Sequence, residues 1–124
     1  MTTSVPKTLQ SFDELWSPRL IACVNDHEIR LVKIDGEFVF HAHPDSDELF
    51  YVLSGEMTME IEGKTNIEME AGDVYTVPKG VRHRPVAQNA QVMIVEKAGT
   101  VNTGDAEASE RTKKIKDVRN VGAL

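Results

Sequence analysis

Between Arg19 and Glu96 the chain never runs more than eight residues without a Gly, Pro, Asn or Asp, and the stretches between these breaks are short and apolar or alternating. A stable helix needs a longer uninterrupted run, whereas short runs between turn residues are the pattern of an all-β barrel or sandwich. The pattern predicts strands at about 19–24, 28–34, 37–43, 48–54, 57–62, 64–70, 73–77, 82–87 and 90–96. Asn25-Asp26, Asp35-Gly36 and Glu62-Gly63 supply the turns, being residues that tolerate positive φ or close side-chain turns. Met57, Met59 and Ile61 alternate with Thr58, Glu60 and Glu62, and Ile67 and Met69 alternate with polar neighbours, so this hairpin has one buried and one wet face.

The two ends differ from the middle. Residues 1–18 read as an N-terminal extension, 19–97 as the barrel and 98–124 as a polar C-terminal tail. Ser11-Phe12-Asp13-Glu14 has the form of a capping box, predicting one helical turn with Ser11 as its N-cap. In the tail, Asn102-Thr103-Gly104-Asp105 reads as a turn and 106–116 as a weak helix, acids first and lysines last, in an otherwise solvated segment. A length of 124 residues suits one domain, and the single cysteine, Cys23, forms no internal disulfide, which fits a reducing compartment. Fourteen Lys+Arg against twenty Asp+Glu, a net charge of −6, argue against a nucleic-acid partner. No uninterrupted apolar stretch is longer than the five residues of Leu49–Leu53, which predicts a cytoplasmic protein with no membrane partner.

Three of the four histidines fall in two stretches with metal-ligand spacing. The first is His41-Ala42-His43, followed after four residues by Glu48. In a strand, residues two apart project from one face roughly 7 Å apart, so both imidazoles would point the same way. Pro44-Asp45-Ser46-Asp47 reads as a turn that would bring Glu48 to face them. The second stretch runs from Gly72 through the Pro78-Lys79-Gly80 turn to His83, where a third nitrogen becomes available. Imidazoles with a carboxylate suit divalent first-row transition metals better than Mg²⁺ or Ca²⁺. His27 lies in a turn outside both stretches and reads as solvated.

These stretches resemble the two motifs of the cupins, matching His41, His43, Glu48 and Gly55 in the first and Gly72, Pro78, Gly80 and His83 in the second. The sixteen residues between them are near the short end for the family, like its small microbial single-domain members. The opening glycine of the first motif falls at Asp35, with Gly36 one place late, and the closing asparagine of the second at Ala87. The resemblance implies a small jelly-roll barrel, a double-stranded β-helix, with His41, His43, Glu48 and His83 as ligands of a divalent Fe, Mn, Ni, Cu or Zn ion. On a six-coordinate ion, four protein ligands leave two positions open.

Strand parity places Val39, Phe50 and Val52 on the same faces as the ligands, with Met57, Met59, Ile61, Ile67 and Met69 further inside. Phe38, Phe40, Ala42, Leu49, Tyr51 and Leu53 make the opposite faces apolar too, so they need a cover: the N-terminal segment with Leu15, Trp16, Leu20 and Ile21, or a second copy in a two-fold homodimer. Lys79, Arg82 and Arg84 flank His83, but the two arginines have the wrong parity to face the ion. Three functions fit: a metal-dependent enzyme with dioxygenase- or isomerase-like chemistry on a small molecule, a non-catalytic binding or sensing module, or a barrel with a structural metal. No catalytic base stands out, Tyr75 being the nearest candidate by position.

Overall fold

A computed structural model of the chain describes residues 2–119. One short helix, α1 (Val5–Gln10), precedes seven strands: β1 (Arg19–Val24), β2 (His27–Glu37), β3 (Glu48–Ile61), β4 (Ile67–Glu70), β5 (Val74–Val77), β6 (His83–Lys97) and β7 (Lys116–Asp117). They form one sheet in the order β4-β3-β6-β2-β1-β7, with β5 also pairing β3. β3 and β6 pair antiparallel along almost their whole length, and β2 pairs the other edge of β6. The sheet curls into a jelly-roll barrel, as expected for an all-β chain.

Several predicted breaks vanish. The Asp35-Gly36 position is a bulge inside β2, where the register against β6 shifts between Ile34 and Gly36. β3 absorbs two predicted strands, because Gly55 at φ +78° carries the chain through an irregular register opposite Asn89 instead of ending it. β6 likewise passes through Asn89 at φ +46°, a conformation asparagine tolerates. Conversely, the predicted strand at 37–43 is not one: it ends with Glu37, and His41 forms only an isolated bridge with His83. Pro85 has no N–H to donate, so Phe38 can bond only its carbonyl there and the ladder fragments.

The inward parity of β2, β3 and β6 builds the main core around Val32, Ile34, Phe50, Val52, Met59 and Val92. Each such side chain contributes about 1.5–3 kcal/mol on leaving water. Met57, Ile61 and Met69 join it as expected, and Ile67 and Val39 pack against its margin. Phe38 is a departure: it turns inward and stacks on Trp16, with ring centroids 4.7 Å apart. Trp16 therefore plugs the barrel from within instead of covering its outer face, its Nε1 donating to the Asp35 carbonyl.

The outer face is covered by α1 and the residues after it. Leu9 and Phe12 pack with Ile21 and Leu31, and Leu53 and Met93 lie against them. Ser4, not Ser11, is the N-cap: its side chain accepts from the Lys7 N–H, and Pro6 in the first turn suits a helix start. Ser11 closes the C-terminus, its N–H donating to the Thr8 carbonyl. The tail holds no helix over 106–116 and runs as turns. Asn102 Nδ2 donates to the Arg111 carbonyl, the Lys113 N–H donates to Asn102 Oδ1, and Lys116–Asp117 pairs parallel to β1. Among the described residues, no helix is long and apolar enough to cross a membrane.

Candidate metal centre

Glu48 opens β3 and His83 opens β6, but the two strands run antiparallel, so their register sets His83 opposite Ile61 and leaves Glu48 at the other end of the ladder; the curl of the barrel brings the two side chains together. The two histidines of the first motif arrive on the irregular segment between β2 and β3, pinned by backbone hydrogen bonds. His41 N–H donates to the His83 carbonyl at 2.9 Å, and His83 N–H returns the bond at 2.8 Å. The Gly80 N–H, in the Pro-Lys-Gly turn, donates to the His43 carbonyl at 2.9 Å. The turn of the second motif therefore braces the histidines of the first.

One nitrogen or oxygen from each of His41, His43, Glu48 and His83 lies within 4.8 Å of the others, and all four residues are buried. Glu48 Oε1 is 3.0 Å from His83 Nε2 and 3.1 Å from His43 Nε2. The Nδ1 atoms of His41 and His83 each lie 2.8 Å from a backbone carbonyl, of Val39 and Val81. A carbonyl only accepts, so Nδ1 carries a proton in each ring and Nε2 is the nitrogen turned inward, where a metal could take it. His83 Nε2 faces the Glu48 carboxylate, and a cation between them would be bound by both. His43 Nδ1 is buried without a hydrogen-bond partner, and Nε2 has the 3.1 Å contact with Glu48. These donors fit a divalent transition metal on their own chemistry.

The electrostatics point the same way. Burial first, and then His83, pull the His41 pKa down to about 4, which keeps its ring neutral. Burial alone would raise Glu48, but its contacts with His43 and His83 outweigh that and hold its carboxyl well below the usual range.

Beside the four lies an arginine–glutamate pair that the motifs do not include. Arg30, fully buried, donates from Nη1 to Glu96 Oε1 at 2.5 Å and to the Thr100 carbonyl at 3.1 Å, and from Nη2 to Glu28 Oε1 at 2.6 Å. The second oxygen, Glu96 Oε2, is buried without a hydrogen-bond partner, 3.9 Å from His43 Nε2. Burial, and then the Glu48 carboxylate, push Glu96 up to about 10 against the pull of Arg30. The signal for this pair is in the sequence: Arg30 shares parity with Val32 and Ile34, and Glu96 with Val92 and Ile94, so each is a charge on an otherwise apolar inward face.

His41, Glu48, Glu96 and Arg30 share a cavity of about 40 Å³ with Phe50, Trp16 and other apolar side chains. That holds about three waters at most. The tail closes it: Asn102 lines the cavity, Thr103 is buried, and Asp105 Oδ1 accepts from the Ala42 N–H at 2.8 Å. Tyr75 packs against the core and does not line this cavity. Arg82 and Arg84 face outward as their parity requires, pairing with Glu62 and Glu60, and His27 is exposed against Asp26.

A jelly-roll barrel with three histidines and a glutamate gathered inside is the architecture of a cupin. The sequence pattern of the Cupin domain family matches residues 28–96, and the chain belongs to that family. The uncharacterized protein YdbB of Bacillus subtilis (strain 168) is 47% identical over 64 residues, 52% of this chain and 57% of that protein. The match thus spans a little over half of that relative's length. A cupin-2 domain containing protein from Shewanella frigidimarina NCIMB 400 superposes with a TM-score of 0.73 at 41% identity, covering 77% of this chain and 93% of its own. Protein NMB1881 from Neisseria meningitidis gives 0.70 at 26% identity, covering 78% and 98%.

Proposed function

We propose that this cupin binds a divalent transition metal through His41, His43, Glu48 and His83 and uses it as an enzyme on a small molecule, with dioxygenase- or isomerase-like chemistry. The observation that carries the reading is the convergence of four buried donor residues, with His43 Nδ1 left without a hydrogen bond and the Nε2 atoms of His43 and His83 both turned on the Glu48 carboxylate. An ion held there would supply a Lewis acid with open positions facing the cavity. The chain's own residues do the rest. The Val39 and Val81 carbonyls fix the ring orientation of His41 and His83. Phe50, Phe38 and Trp16 give the cavity apolar walls that exclude bulk water. Glu96 and Arg30 are its polar groups besides the metal ligands and Asn102.

Elemental analysis of protein purified without an affinity tag should find about one metal per chain, of Fe, Mn, Ni, Cu or Zn. His41→Ala and His83→Ala should lose it while remaining folded. A metal-free wild type, or full retention in both variants, would sink the assignment. Oxygen uptake and product analysis on enediols, thiols and keto acids then separate turnover from binding alone. The chemistry of the donor set also permits a closed zinc site with a structural role, and slow exchange of a four-coordinate zinc would select that reading.

Cytoplasmic residence and a two-fold homodimer belong to the same proposal. Tyr51 on β3 and Val74 on β5 are cross-strand partners, and both are exposed apolar side chains that α1 leaves uncovered. Light scattering at micromolar concentration should return twice the 13.8 kDa chain mass, and a monomeric mass would remove the dimer.

A further inference from the structure

The four motif residues do not use up the polar groups at the centre. Glu96 is 2% exposed, and its two oxygens have unequal fates. Oε1 is clamped by Arg30, which is itself held by Glu28 and the Thr100 carbonyl. Oε2 accepts from no donor, and the Glu96 carboxyl lies within hydrogen-bonding reach of the Glu48 carboxylate, a contact between two acids that a proton or a bound group has to relieve. Oε2 is 3.9 Å from His43 Nε2, too far for a hydrogen bond, and the group of mutually close donors comprises His41, His43, Glu48 and His83 without Glu96. It lines the same small cavity as His41 and Glu48. A bound group small enough for that cavity would therefore have the Glu96 oxygen within its reach.

We propose that Glu96 is a binding residue of the centre: its Oε2 hydrogen-bonds the water or substrate hydroxyl held at the open position of the metal, with Arg30 locking the carboxyl in that orientation. The inference rests on the metal reading above and adds to it a fifth functional side chain outside both motifs. It also narrows the ligand. A molecule that satisfies both the apolar walls and this oxygen has a compact apolar body and carries a hydroxyl next to its metal-binding atom.

The test uses cobalt(II) as the metal and azide as a small probe of the open position, both read by visible absorption. In the wild type, azide should perturb the ligand-field bands. In Glu96→Gln, which keeps the shape and leaves Arg30 an acceptor, cobalt should still bind. Beside the bound cation a Glu96 carboxylate has no hydrogen to give azide, whereas the Gln amide can donate to it, so azide should bind tenfold or more tighter in the variant, the size expected for one hydrogen bond at a charged group. The bands before azide should move as well. If Glu96→Gln fails to fold, Arg30→Met with Glu96→Met removes the pair together, a replacement that buried ion pairs often tolerate, and tighter azide binding is again expected because no carboxylate then faces the probe. Azide affinity and bands within twofold of wild type, with only thermal stability lowered, would assign Glu96 to bracing Arg30 and overturn the inference. So would a wild-type cobalt protein that ignores azide. A wild type that binds no cobalt would instead overturn the metal reading itself.

Discussion

His41 is a candidate ligand and a buried group at once, and its surroundings favour the neutral ring that both roles need. Its pKa is held near 4 by burial and then by His83, against an ordinary value of 6.5. Between those values the unfolded chain binds a proton that the folded one refuses, so the metal-free protein loses stability as the pH falls from about 6.5 toward about 4. From pH 7 to pH 5 this residue alone accounts for a loss of about 2 kcal/mol. Urea unfolding of metal-free wild type and His41→Gln at those two pH values should differ by about that amount, with the wild type falling further. Equal losses would mean that the ring is already charged in the fold. At this scale the motif residues could be picked from the sequence because their spacing is rigid. Arg30 and Glu96 were missed for another reason: sixty-six positions separate them, and only strand pairing shows that their isolated inward charges meet.

Among the elements, the alternating runs predicted strand positions better than strand ends. Gly55 shows why. It was expected to end one strand before the next began, yet β3 continues through it, because a Cβ at this position would sit 2.3 Å from the Asn89 carbonyl oxygen and 2.7 Å from the Ala90 Cα. With φ at +78° as well, the position suits glycine on two counts. Gly55→Ala should therefore cost at least about 2 kcal/mol in denaturant unfolding, from combined backbone strain and overlap. A change below half that would place the strand crossing elsewhere. The His-x-His segment failed as a strand for a reason equally local, the missing N–H of Pro85. Its histidines converge nonetheless, since the paired backbone bonds of His41 and His83 do the work assigned to regular alternation. The tail was misread because polar composition says nothing about backbone partners. The turn at 102–105 forms as predicted, but it docks on the first motif, with Gly104 so close to the Ala42 carbonyl that a Cβ would fall 2.4 Å away.

For the molecule as a whole, the consequence is a barrel sealed from both termini. Trp16 enters from the N-terminal side, residues 102–105 lie across the histidines, and Arg111 stacks its guanidinium over the Trp16 ring at 5.1 Å. A seal of this kind joins the centre to the stability of the entire fold, since the loops that carry the histidines are held by segments from both ends of the chain. Metal held by the folded state alone adds stability that grows with the ratio of free metal to its dissociation constant, reaching about 4 kcal/mol at a thousandfold excess. For a domain of this size that corresponds to a rise in Tm of about 10–20 °C. Calorimetry of the metal-loaded protein with and without a chelator should show a drop of that order, while His83→Ala should melt at one temperature in both conditions. An unchanged wild-type Tm after the metal is shown to have left would mean that the unfolded chain holds the ion as well as the folded one does, because binding to the fold alone must stabilise it.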